Sequence, residues 1–410
     1  MGSSALTAVA QSAQPASAPR LAANRGIPIS QQAFYPDLLR AAAHWADAPL
    51  GEVVADNPRD TLLNFYAVMA RVDHDRRAVI ASAGNDSLWR WSPAQRQRIA
   101  ITEDLFALAV KALDASEIPE SIREDQAQEA AIQLKQVLDY VLGQNDQQIE
   151  IPNSAELKAL NQQRSRSSES WTLPKTGITL SAGTKAEGVR SEMRFSAGTV
   201  AEIGRMYALI ASAPVAAQPF ATPDFYQTFS DTPGFLVPPK WYVRLSPELR
   251  QRLEYPVAGQ TLFQLVAAAI TLLLYGWIVL LLLQRLLGTY RYYQPAPSPR
   301  PDSWHQDNVA WYRVLLTLPV MPLTWICHRL IDDLMNFTGD LLIAVTVLFF
   351  SCSFIAASVV GFFLFEALGR TLAERLVQLR GGGSELQLRR VSNLVMPVSR
   401  VLGGLVALSL

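Results

Sequence analysis

Thr261-Leu-Phe-Gln-Leu-Val-Ala-Ala-Ala-Ile-Thr-Leu-Leu-Leu-Tyr-Gly-Trp-Ile-Val-Leu-Leu-Leu-Leu283 runs for 23 residues without a charged side chain. Roughly 20 apolar residues in a helix cross the hydrocarbon core of a bilayer. Three more apolar stretches follow it, Val314–Cys327, Leu341–Phe365 and Val391–Leu410. The expected spans are 261–284, 312–334, 339–367 and 391–410, the last truncated because Leu410 has no polar flank. The fold class that follows is mainly α: a helical N-terminal extracytoplasmic domain with a small β hairpin, then about four transmembrane helices.

Working back from the spans, the charges are segregated. Lys plus Arg and Asp plus Glu both number 36, so the net charge is zero, and most of them lie before residue 260. No basic excess points to nucleic acid. Cys327 and Cys352 both sit in apolar stretches, which excludes a disulfide in the polar region and any zinc-ligand spacing. His44, His74, His305 and His328 are scattered, with no pair at i, i+4. Residues 1–30 read either as a disordered tail or as the remnant of a signal peptide, since Ala8 to Ala13 is rich in small residues but has no basic start.

Residues 31–150 are patterned as a helical domain. Pro58, Asp60, Leu62, Leu63, Phe65, Tyr66, Met69 and Val72 place an apolar stripe on a helix, with Asp56 or Asn57 as its N-cap. Ile101–Leu113 and Asp125–Leu142 carry the same periodicity. Residues 151–256 form a mixed segment. Asn161–Ser170 reads as a polar linker, Trp171–Ala182 as a strand, Arg190–Phe195 as its antiparallel partner and Thr199–Ala211 as a helix. Proline density from Pro214 to Pro256 bars long helices, and its aromatics suit the headgroup level of a membrane. This part reads as a rigid connector laid on the outer membrane surface.

Residues 257–410 form the membrane region. Arg285, Arg291, Arg300 and Arg313 follow the first span, and Arg370, Arg375, Arg380, Arg389 and Arg390 follow the third. Short basic loops stay cytoplasmic, so the N-terminal domain belongs outside. Pro319 and Pro322 interrupt the second span, whose apolar core is only about 14 residues, short of the usual length. A re-entrant segment competes there, but it would place the five-arginine loop outside. Arg400 sits mid-way along the fourth stretch, either inside the membrane or at the interface of a helix starting nearer Met396.

The chain holds no G-x-S-x-G, Walker A or H-E-x-x-H pattern, and Gly381-Gly-Gly-Ser384 reads as a turn. No catalytic, cofactor-binding or metal-binding residue is assigned, and the chain is not expected to be an enzyme.

Four stretches resemble the N-terminal half of larger bacterial members of the small-conductance mechanosensitive channel (MscS-like) family. They are Asn57-Pro-Arg-Asp-Thr-Leu-Leu-Asn-Phe-Tyr66, Ala131-Ile-Gln-Leu-Lys-Gln-Val-Leu-Asp139, Trp171-Thr-Leu-Pro-Lys-Thr-Gly-Ile-Thr-Leu180 with Phe195-Ser196, and Arg390-Val-Ser-Asn-Leu-Val-Met-Pro-Val-Ser-Arg-Val-Leu-Gly-Gly-Leu405. Their order along residues 45 to 410 carries the likeness. The resemblance implies a tension-gated channel subunit of a bacterial inner membrane. The subunit would be multi-pass, with its N-terminal domain periplasmic, would act in solute efflux on hypo-osmotic shock, and would assemble as a homo-oligomer, a heptamer in this family. Membrane lipids would be its partners. This stretch would supply the periplasmic domain and the sensor helices, while the family's pore helix and cytoplasmic β domain would follow Leu410. Arg400, Pro319 and Pro322 are then the candidates for structural or gating coupling. The alternative is a membrane-anchored periplasmic sensing or protein-interaction module without channel activity.

Overall fold

Asn57 is extended, and its side-chain oxygen accepts the Asp60 N–H at 2.9 Å. Pro58 fills the next position, where a missing N–H costs nothing, and helix α2 (Pro58–Ala81) begins. Of the two expected caps, Asn57 is therefore the one used. The computed structural model describes residues 26–47, 51–84, 87, 89–163, 169–183, 192–213, 217–257, 260–291, 308–331, 335–337, 339–379, 397–398, 401 and 403.

Around α2 pack α1 (Tyr35–Asp47), α3 (Pro93–Val110) and α4 (Arg123–Gly143). Helix α3 starts eight residues before the expected Ile101. Its first two turns are polar and show no apolar period, but a capping box opens them: Gln95 N–H donates to Ser92 Oγ at 3.3 Å, and Ser92 N–H to Gln95 Oε1 at 3.0 Å. Residues 161–163 do not belong to a linker. They finish a further helix, α5 (Ser154–Gln163), whose first N–H groups are taken by the Asn153 side chain at 2.9 and 3.0 Å.

The expected single strand Trp171–Ala182 is two strands, so the hairpin becomes a three-stranded antiparallel sheet. Its order is β1 (Ser170–Thr172), β2 (Thr179–Ala182), β3 (Met193–Phe195). Pro174 has no N–H to give a ladder, and Lys175 adopts a left-handed φ of 62°. The chain therefore turns, closed by Leu173 N–H to Ile178 O at 2.8 Å. Trp171 pairs with Leu180, and Leu180 with Phe195. The far side of β3 is covered, since Met193 N–H donates to Ala55 O and Phe195 N–H to Ala112 O, both at 2.8 Å. Helix α6 (Ala197–Ile210), capped by Ser196, then packs on α4. The proline-rich connector holds only short helices: α7 (Phe225–Asp231), α8 (Lys240–Val243) and α9 (Pro247–Leu253). Between α7 and α8, Gly234 takes φ 86°, where an added Cβ would lie 2.9 Å from Pro239. One hydrophobic core runs through this N-terminal unit, from Ile29 through Phe65, Phe106, Leu138 and Phe195 to Val237.

Inside that core lies a buried charge pair. Lys135 and Asp139, one turn apart on α4, are hydrogen-bonded and together almost inaccessible to solvent. Asp139 also accepts from Tyr66 Oη at 2.7 Å, Thr222 N–H at 2.9 Å and Thr222 Oγ1 at 2.8 Å. Lys135 donates to Phe220 O at 2.8 Å and lies 3.9 Å over the Tyr66 ring. Burial pushes the Lys135 ammonium pKa down, opposed by Asp139, and pushes the Tyr66 phenol well up.

The hairpin β4 (Pro256–Val257) and β5 (Gln260–Thr261) leads into α10 (Leu262–Arg291). Then come α11 (Val309–Thr317), α12 (Val320–Arg329) and α13 (Gly339–Leu379). Three of these segments, Leu262–Tyr290, Val309–Arg329 and Leu341–Leu372, are long and apolar enough to cross a membrane. They point to a multi-pass membrane protein. Most of the fourth expected stretch, 391–410, lies outside the described residues. Helix α13 has 41 residues, so at about 1.5 Å per residue it far exceeds a hydrocarbon core about 30 Å thick.

Truncating Asp139 leaves a buried ammonium and three donors without their acceptor. Asp139→Ala is expected to destabilise the N-terminal unit by about 3–5 kcal/mol, read as a shift of the urea midpoint of the whole chain in detergent.

Candidate functional site

Two polar nodes hold the membrane helices together, one at each end of α10. The first grows from Thr261-Leu-Phe-Gln264, a threonine three residues before a glutamine at a helix start. Thr261 N–H donates to Gln264 Oε1 at 2.7 Å, and Gln264 N–H to Thr261 Oγ1 at 3.4 Å. The box consumes only the oxygen end of the side chain. The amide nitrogen donates onward to Ser230 O at 2.8 Å, Met335 O at 2.8 Å and Asn336 O at 3.2 Å. Asn336, in the left-handed region at φ 49°, sends its own side chain to Phe229 O at 2.6 Å. Gln264 is fully buried. One side chain thus ties together the last helix of the connector's first half, the head of α10 and the link between α12 and α13.

The second node lies 25 residues further along α10, about 37 Å at helical rise. Arg313 Nε donates to Thr289 Oγ1 at 3.0 Å, and its guanidinium stacks 4.0 Å over the Tyr290 ring. Arg313 Nη1 stands 3.5 Å from Glu366 Oε1, and both side chains are buried. Next to it, Trp311 Nε1 donates to Thr371 Oγ1 at 3.1 Å. The separation of the nodes is comparable to the thickness of a hydrocarbon core, about 30 Å.

This geometry settles the course of the second span. Its start touches the end of α10 through Arg313, and the chain after its end reaches the head of α10 at Met335. The segment therefore runs antiparallel to α10 along its length. Pro319 and Pro322 interrupt it at no great cost. Pro319 caps α12, and Pro322 lies in its first turn, where N–H groups have no intrahelical partner. Leu318 N–H to Val314 O at 2.9 Å and Leu323 N–H to Pro319 O at 3.1 Å carry the helix across the break. Neither proline joins a node. Midway, Tyr275 Oη and Thr324 Oγ1 are 2.9 Å apart. Arg400 lies outside the described residues, whereas Gly403 packs on α13, where an added Cβ would come within 3.1 Å of Phe365.

Between the N-terminal unit and the bundle lies a cleft of about 730 Å³. Glu103, Asp104, Glu124 and Asp125 line it from α3 and α4, and Trp325, Arg329 and Phe350 from the bundle. Burial, with Asp104 beside it, raises the Glu103 carboxyl pKa. The two units meet at the Gln264 node and where Glu120–Ile122 touches α13. Among the described residues, no group of three or more His, Cys, Asp or Glu side chains could hold a metal ion.

Neither node is assigned as a site from the sequence: Arg313 is read there only as one of the basic residues of the loop after the first span, whereas the structure buries it within α11. Glu366 is the one carboxylate between Asp340 and Glu374, a visible signal, but its partner comes from another helix. Gln264 looks like a mild polar residue unless the capping box is noticed. No family model, no curated protein and no solved structure matches the chain.

Removing one member of the ion pair should cost more than removing both. Arg313→Gln and Glu366→Gln are each expected to lose about 2–4 kcal/mol, and the double substitution Arg313→Met with Glu366→Met distinctly less. Unfolding in mixed micelles measures the cycle.

Proposed function

We propose that the protein is a subunit of a tension-gated channel of the small-conductance mechanosensitive type, in which the described residues form a sensor. The observation that carries this reading is the Gln264 node, which joins an extramembrane unit to two membrane helices through one buried side chain. The order of the four family-like stretches supports it as well. Helix α10 buries little of its apolar face, with Ile270, Leu273 and Trp277 all exposed, as suits a peripheral helix in contact with lipid. Tension favours whichever state occupies more area in the membrane plane. A change in the tilt of α10 changes that area, and the node passes the motion to the N-terminal unit and to α13.

In this reading the N-terminal unit is periplasmic and the protein spans a bacterial inner membrane four times, the fourth span following α13. Arg285, Arg370 and Arg375 gather on the side away from the N-terminal unit, which supports that orientation. The subunits assemble as a homo-oligomer, expected to be a heptamer.

Two measurements test the proposal. In patches from cells lacking their own mechanosensitive channels, a subunit that joins the described residues to a pore helix of the family is expected to give tension-activated currents, and Gln264→Leu in it is expected to change the threshold tension. Absence of any current would favour a membrane-anchored sensing module instead. For the orientation, alkaline phosphatase fused after residue 150 is expected to be active, and fused between 285 and 313 inactive. The reverse result would invert the protein in the membrane.

A further inference from the structure

Helix α3 begins outside the hydrophobic core. The stretch that opens it, Trp89-Arg-Trp-Ser-Pro-Ala-Gln-Arg-Gln-Arg98, carries three arginines, and no acidic residue occurs from 87 to 102. Arg90, Arg96 and Arg98 are all exposed. Trp89 is 70% exposed, although a ring of that size is ordinarily well covered. No residue of α3 before Thr102 is buried, so its first two turns project. Among the described residues, no carboxylate pairs with any of the three guanidinium groups.

The projecting segment is nevertheless held in place. Gln95 Nε2 donates to Ser82 O at 2.8 Å and to Ser82 Oγ at 2.9 Å, which ties the first turn of α3 to the end of α2. Trp91, unlike Trp89, is half-buried, with Lys240 Nζ 5.8 Å from its ring centroid. Arg244 Nη1 donates to Gly84 O at 3.1 Å. Both of these contacts come from α8 and its end, and the next ring of α8, Trp241, stands 5.9 Å from Phe263 in the first turn of α10. Since α10 is long and apolar enough to span a membrane, α8 places residues 89–98 beside the mouth of that span. Further along α3, Glu103 and Phe106 face Trp325 and Phe350 of the bundle across the cleft. The whole helix therefore lies on the side of the N-terminal unit that looks toward the bundle.

We propose that residues 89–98 form a docking surface for anionic phospholipid. Trp89 enters the headgroup layer of the leaflet that faces the N-terminal unit, the level that tryptophan prefers. Arg90, Arg96 and Arg98 bind lipid phosphates, which guanidinium groups hold through paired N–H donors. The occupant follows from charge complementarity with an anionic leaflet and from continuity with the head of α10. The proposal depends on the membrane spans and not on gating, so absence of tension-activated current leaves it standing.

The test attaches a nitrobenzoxadiazole dye at Ala94→Cys, an exposed position in the first turn of α3. The whole chain is used, with Cys327→Ser and Cys352→Ser replacing the two native thiols. It is reconstituted at low density in phosphatidylcholine vesicles, with or without about one part in three of phosphatidylglycerol, each containing a small share of phosphatidylcholine spin-labelled on its headgroup. The nitroxide is expected to quench the dye in both vesicles, and phosphatidylglycerol to raise the quenching about twofold. Changing Arg90, Arg96 and Arg98 together to Gln should abolish that rise, and changing all three to Lys should restore most of it. Trp89→Ala should lower the quenching in both vesicles. These side chains are exposed, so their replacement spares the fold. A dye unquenched in either vesicle would overturn the proposal. So would quenching indifferent to phosphatidylglycerol, or a rise that survives the glutamine set. A dye that becomes shielded from lipid as protein density increases would assign the surface to a second copy of the chain and overturn the proposal as well.

Discussion

Backbone carbonyls buried away from water must be paired, because an apolar surrounding offers no donor. Ser230, Met335 and Asn336 present three such carbonyls at the mouth of the bundle, and the two N–H groups of the Gln264 amide are shared among them. The rest of the architecture depends on that exchange. The oxygen of the same side chain starts α10, so the helix cannot begin without its amide being aimed at the other two elements. Replacing it by an apolar residue loses a cap and strands three acceptors at once, each of which costs about 1–3 kcal/mol when buried.

The node is rigid on its extramembrane side for a reason found deep in the N-terminal unit. Asp139 grips Thr222 through both its backbone N–H and its hydroxyl, and Lys135 holds Phe220 O. Three residues later Phe225 begins α7, and that helix delivers Phe229 O and Ser230 O to Asn336 and Gln264. A charged core pair is a costly way to stabilise a fold. Here it fixes the position of a connector that proline and glycine would otherwise leave without regular structure.

Helices with a cap and an apolar stripe could be read from the sequence. The Asn57-Pro58 start of α2 and the charge-free run before Leu283 are local signals, carried by residues within a turn or two of each other. The misreadings share the opposite property. Helix α3 begins in a polar turn without a stripe, and α5 has too few apolar residues for a period to appear. The strand at Trp171 breaks because one proline and one left-handed lysine outweigh the alternation around them. The nodes are harder still, since Arg313 and Glu366 are 53 residues apart and meet only after three helices have packed. Pro319 and Pro322 attract notice in the sequence but sit where a helix tolerates them.

The two nodes also differ in kind, and the difference bears on how the bundle can move. Gln264 lies fully buried between neutral groups, so its bonds are short-ranged and lost within about an ångström of sliding. Arg313 and Glu366 interact over a longer distance and are supported by the Tyr290 face and the Thr289 hydroxyl. An ion pair weakens gradually with separation, whereas hydrogen bonds to carbonyls break. The ion pair itself joins α11 to α13, and α10 is attached to it through the Thr289 hydroxyl and the Tyr290 ring. At its head the helix is tied to α7 and to the link before α13 by the Gln264 amide, so a displacement of that head acts directly on the N-terminal unit.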